Sequence, residues 1–130
     1  MKLALVTDLH ANREAVSAVM AHAQAQGAQR YAFLGDYVGY GADPAWVVDL
    51  VREHLARGAV AVRGNHDEAV VIGPRPTMVP DARQVVEWTR EQLTGYPRFA
   101  QLREEALQHP INEADRTVRG LLSRRTAAVE

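Results

Sequence analysis

Three short apolar runs, each ending in a polar cluster, recur about 28 residues apart, close to the length of one βαβ unit. This spacing constrains the chain more than any other feature. Lys2 to Thr7 reads as a buried strand that stops at Asp8-Leu9-His10-Ala11-Asn12. Arg30 to Leu34 reads as a second, closed by the glycine-punctuated loop Gly35 to Gly41. Ala59 to Arg63 reads as a third, running into Gly64-Asn65-His66-Asp67. Helical periodicity fills the gaps. Asn12 is placed to cap a helix whose apolar face is Val16, Val19, Met20 and Ala23, ending near Gly27. Asp43 and Pro44 open another that carries Val47, Leu50, Val51, His54 and Leu55 as far as Gly58. Strand, helix, strand, helix, strand implies parallel strands with both faces buried.

The fold class expected is therefore α/β, a partly parallel βαβαβ sheet with flanking helices. In open sheets of this kind ligands bind beyond the carboxyl ends of the strands. Asp8, His10, Asp36, Asn65, His66 and Asp67 all fall there and should converge. Past the third cluster, Gly73 to Pro80 reads as a loop that folds over the site. Asp81 should cap a helix containing Val85, Val86, Trp88 and Leu93. Two weaker helical stretches follow, Arg98 to Gln108 and Asn112 to Arg125, broken at Pro110. The expected organisation is an α/β domain over residues 1–94 and a helical C-terminal segment, mobile at its Arg-rich end, over 95–130.

Composition narrows the chemistry. Hydrophobic residues make up 47% and charged residues 24% of 130, the balance of a globular domain. Fifteen Lys plus Arg against sixteen Asp plus Glu leave a net charge of -1, so no global field favours nucleic acid or an anionic membrane. The absence of cysteine removes disulfides, thiolate metal sites and cysteine nucleophiles. The apolar run before Asp8 is too short for a signal peptide or a membrane span, so a cytoplasmic location is expected.

Asp8 and His10 set a carboxylate and an imidazole on alternate residues beyond a strand, both able to reach one divalent ion. Asp36 has two oxygens and can bridge two ions. Asn65 offers a neutral amide oxygen, and His66 can face substrate as a proton donor or as a cation toward a phosphoryl oxygen. Other residues invite blander readings. His22 and His54 sit on helices away from the strand ends, and Trp46 and Trp88 fit helix-to-sheet packing. Tyr37 and Tyr40 either line a substrate pocket or pack over their loop, and Arg63 is a possible phosphate contact. A haloacid-dehalogenase phosphatase would need a second Asp where His10 stands. A dinucleotide-binding Rossmann domain would need G-x-G-x-x-G spacing, which the Gly35 to Gly41 loop lacks.

Together, Asp8-Leu9-His10-Ala11-Asn12, Gly35-Asp36-Tyr37-Val38-Gly39-Tyr40-Gly41 and Gly64-Asn65-His66-Asp67 resemble the first three motifs of the calcineurin-like metallophosphoesterases, of the small bacterial phosphodiesterase and phosphatase type. Leu9 and Ala11 stand where the nearest pattern has Ile and Gly. The resemblance implies that Asp8 and His10 bind a first metal, Asp36 bridges, Asn65 binds a second, and His66 is the catalytic imidazole. Asp67 is then a supporting catalytic-site residue that orients an imidazole. It further implies hydrolysis of a phosphomonoester or phosphodiester, small molecule or nucleotide, by a metal-activated water. The ion would be Mn2+, with Fe or Zn as alternatives.

Downstream the pattern stops. Family members carry a Gly-His and a Gly-His-x-His motif, whereas here His109, followed by Pro110, is the one histidine after His66. The first metal keeps three donors and the second two, so one ion in place of two and impaired turnover are expected. The alternative is a non-catalytic metal- or phosphate-binding or regulatory module from a shortened or frameshifted phosphoesterase. Three parallel strands also leave edges unpaired, which predicts a homo-oligomer or a partner covering the sheet edge.

Overall fold

The structure, a computed structural model, describes residues 1–108 and the side chains through Leu102. Three strands form one parallel sheet in the order β1-β2-β3: β1 Lys2–Val6, β2 Ala28–Phe33 and β3 Val60–Ala61. Five helices accompany them: α1 Arg13–Ala25, α2 Pro44–Ala56, α3 Asn65–Ile72, α4 Pro80–Leu93 and α5 Pro97–Gln108. The α/β class and the parallel crossovers expected from the sequence are present. The boundaries differ. β2 starts two residues early, and β3 shrinks to two residues because it pairs only with the end of β2, Val60 opposite Ala32 and Ala61 opposite Phe33.

Both crossovers step in the same direction along the sheet. With right-handed connections this puts α1 and α2 on one face. Register follows from that face. Val6, Phe33 and Ala61 lie side by side beneath the helices and are buried. The His54 ring of α2 stands edge-on to Tyr31 at 5.0 Å and to Phe33 at 5.5 Å, while its Nδ1 bonds the Leu50 carbonyl, so this histidine is a packing residue. Val47, Val48 and Val51 complete the layer at 0% exposure.

The opposite face corrects the expectation of strands buried on both sides. Leu5 pairs with Ala32 and points away from α1 and α2, as does Leu34 by the two-residue alternation of the pleat. They remain 52% and 38% exposed. Val19 of α1 and Trp88 of α4, both expected to pack, are exposed as well. Trp46 does pack, beneath the Arg13 guanidinium 5.3 Å from its ring.

Asn12 caps α1, its Oδ1 accepting the Ala15 N–H at 3.1 Å. Asp43 and Asp81 form no such bond; Val79 is the cap of α4 and Pro80 its first residue. α3 is an element for which the apolar periodicity gives no expectation. α5 docks on α2 through Asp49, which accepts the Tyr96 hydroxyl at 2.7 Å and pairs with Arg98 at 3.1 Å. The helix expected over Asn112 to Arg125, and most of the expected C-terminal segment, lie outside the described residues. Among those described, no helix is long and apolar enough to cross a membrane.

Removing the fully buried Phe33 ring should open a cavity under α2. Phe33→Ala is expected to lose about 3–5 kcal/mol in urea unfolding, against less than about 0.5 kcal/mol for Leu5→Ala.

Candidate metal centre

The first two strands do not end where their polar clusters begin, because backbone hydrogen bonds carry the pairing onward. Asp8 N–H donates to the Gly35 carbonyl at 3.1 Å, His10 N–H to that of Asp36 at 2.9 Å, and Ala11 N–H to that of Tyr37 at 2.8 Å. The two loops are thus zipped together. To follow this path the chain takes the left-handed region at Asp8, His10, Ala11, Asp36 and Tyr40, with φ from 44° to 64°. Among the described residues these are all the non-glycine positions with positive φ. Each costs on the order of 1–2 kcal/mol, and such strain concentrates at functional sites.

The zipping brings Asp8, His10 and Asp36 together. One donor atom from each lies within 4.8 Å of the others, and no other group of three His, Asp or Glu does so among the described residues. Their neighbours aim them. The Thr7 hydroxyl donates to Asp8 Oδ2 at 2.6 Å, which leaves Oδ1 facing His10 Nε2 at 3.6 Å. His10 Nδ1 lies 3.3 Å from the Val38 carbonyl, an arrangement that fixes its proton there and turns the Nε2 lone pair inward. Asp36 Oδ1 accepts the His66 backbone N–H at 2.9 Å. Two carboxylates and an imidazole, each oriented by a second hydrogen bond, suit a divalent ion.

Asp67 holds this arrangement in place. Only 5% exposed, its carboxylate accepts four backbone N–H groups: Oδ2 those of Asp36 at 2.7 Å and Gly64 at 2.9 Å, Oδ1 those of Tyr37 at 2.8 Å and Val38 at 3.2 Å. The loop after β2 is thereby stitched to the start of α3. This corrects the expectation that Asp67 orients an imidazole, since both oxygens are taken by the main chain. Burial pushes its pKa up from 3.8 to about 6, against the pull of the N–H donors of Gly64, Val38 and Asp36. Gly64 is required by the same close approach, for a Cβ there would collide with Asp36 Oδ1.

The remaining candidates separate cleanly. His66 is half-buried, with its ring 5.0 Å from that of His10. Asn65 is exposed at the first position of α3, between the glycine that abuts Asp36 and His66. Tyr37 is a core residue whose hydroxyl meets the Phe33 and Val62 carbonyls, and burial, with the Asp67 charge second, drives its pKa upward. Tyr40 is exposed, with its ring 5.0 Å from His10 and 4.9 Å from His66. Arg63 lines a small interior cavity with Val48, Val71 and Phe99. The loop expected over the site, Gly73 to Pro80, is tied to α3 by the Arg75–Glu68 ion pair at 2.8 Å. The sequence did hold a signal for α3: Gly64 and Asp67 have the spacing of an N-cap and its N3 acid.

The family model of calcineurin-like phosphoesterases matches residues 1–118, and the chain belongs to that family of metal-dependent phosphoesterases. A solved metallophosphoesterase from Sphaerobacter thermophilus superposes with a TM-score of 0.62 at 35% identity, over 80% of this chain and 40% of that one. An uncharacterized protein of Methanocaldococcus jannaschii is 39% identical over 69 residues, which are 53% of this chain and 27% of that protein. The chain thus spans well under half the length of either relative.

Replacing Asp67 with Ala strands four N–H donors in a buried place. A loss of about 3 kcal/mol or more is expected in denaturant unfolding, far beyond that of Asp81→Ala on the exposed start of α4.

Proposed function

We propose that the chain is a phosphoesterase that hydrolyses a phosphomonoester or phosphodiester, of a small molecule or a nucleotide, with a divalent ion held by Asp8, His10 and Asp36. The observation that carries this reading is the convergence of those three donors within 4.8 Å, with His10 Nδ1 turned to the Val38 carbonyl at 3.3 Å. Two carboxylates with one imidazole favour Mn2+, ahead of iron or zinc. A divalent ion there would acidify water and neutralise charge on the phosphoryl oxygens. The residues supply the rest. Asp36, tethered through one oxygen, is shared with Asn65 toward a second ion. His66 faces the phosphoryl group and donates a proton to the departing oxygen. Asp67 acts by holding the Asp36 and Gly64 main chain in register.

A second reading has its own support: among the described residues the second ion would have only Asp36 and Asn65, a weak pair. The chain would then bind metal or phosphate without appreciable turnover. The three-stranded sheet, with β1 and β3 at its edges among the described residues, supports the further proposal that a second copy or a partner covers the sheet edge, which a clean monomer in sedimentation at tens of micromolar would count against. A cytoplasmic location belongs to the same proposal.

Calorimetric titration with Mn2+ should give one tight site per chain, weakened ~10-fold or more in His10→Ala. His66→Ala should keep that site and lose Mn2+-dependent hydrolysis of bis(p-nitrophenyl) phosphate. Equal hydrolysis by both proteins would mean that this chain does not catalyse it and would leave the binding-module reading. No Mn2+ binding at all would end both.

A further inference from the structure

Tyr40 is the one aromatic side chain in the described structure that is both exposed and in contact with the metal-centre imidazoles. Its neighbour Tyr37, three residues earlier on the same loop, is 2% exposed and serves the core. Tyr40 is 59% exposed, edge-on to His10 at 73° and tilted against His66 at 52°. A bulky residue at φ 64° is an uncommon conformation, and the flanking chain enforces it. Gly41 donates its N–H to the His10 carbonyl at 2.9 Å, in a place where a Cβ would strike that same carbonyl, and Gly39 lies against the His66 ring. The loop is pinned on both sides of Tyr40, so the ring is presented outward at a fixed height beside the two imidazoles. The ring is not among the core residues or those packed against the core.

We infer that Tyr40 is a stacking platform for the organic part of the phosphate ester, and that the site prefers esters carrying a planar aromatic group, a nucleobase above all. The inference rests on the phosphoesterase reading and adds the substrate class to it. With a phosphoryl group at the metal donors, the phenol ring, its centroid 5.0 Å from the His10 ring and 4.9 Å from the His66 ring, stands beside the phosphate with its outer side open to the base carried beyond the sugar. Stacking of a base on an aromatic face is sequence-tolerant and strong enough to matter, because every base has a π-face to offer. The main chain that carries the ring is already pinned, so binding on it has no loop to order.

The test compares adenosine monophosphate with ribose 5-phosphate, which share the phosphate and sugar and differ in the base. Binding to the Mn2+-loaded protein is followed by calorimetry for the parent, Tyr40→Phe and Tyr40→Asn. Asn tolerates positive φ, so that variant removes the ring without adding strain. The parent should bind the nucleotide on the order of 10-fold more tightly than the sugar phosphate. Tyr40→Phe should keep the preference and Tyr40→Asn should lose it, with ribose 5-phosphate and Mn2+ affinities unchanged in both. Equal affinity of the parent for the two ligands, absence of nucleotide binding to Mn2+-loaded protein, or an unchanged preference in Tyr40→Asn would each overturn the platform while leaving the metal centre standing. Failure of Mn2+ itself to bind the parent would overturn the underlying site and the platform with it.

Discussion

One buried carboxylate organises the functional end of this molecule. Asp67 gathers the N–H groups of Asp36, Tyr37, Val38 and Gly64 around two oxygens, and no other contact joins the loop after β2 to the start of α3 so completely. Each donor would otherwise be an unpaired polar group in a place from which water is largely excluded, so the arrangement is held together from both sides. Through it, Asp36 and the Val38 carbonyl take their positions, and through Val38 the His10 ring takes its tautomer. The candidate metal donors are ordered by this main-chain network more than by one another.

The network also explains where the strain resides. A sheet of three short strands could end in ordinary turns, yet among the described residues five non-glycine positions lie in the left-handed region, every one in the two loops that carry the donors. Backbone bonds between the loops and the Asp67 clamp offset that cost. The valine layer of α2 and the Phe33 ring supply the stability that lets the rim be strained.

Much of this was legible in the sequence because it is local. The spacing of apolar runs gave the parallel order, and the polar clusters beyond them named Asp8, His10 and Asp36, which do converge. Three things were faint or absent there. Asn65 to Ile72 becomes a helix because Asp67 closes its first turn, and the N-cap spacing of Gly64 and Asp67 is a slight signal beside the polar run Gly-Asn-His-Asp. Leu5 and Leu34 look like core residues in any window, and only the fold leaves them exposed while Ala32 beside Leu5 is buried. The resemblance implies that Asp67 is a partner for an imidazole, whereas its oxygens accept from the backbone of a loop some thirty residues earlier.

The same contrast separates Tyr37 from Tyr40. As sequence they are two tyrosines on one glycine-rich loop, with nothing to rank them. The fold turns one inward to the Phe33 and Val62 carbonyls and the other outward to His10 and His66. The amino-acid sequence by itself determined the α/β class and the family, and it named Asp8, His10 and Asp36, since periodicity and short motifs are encoded in neighbouring residues. Only the tertiary structure decided which side chains are buried beneath the site and which stand exposed beside it, because that depends on hydrogen bonds and packing between segments far apart along the chain.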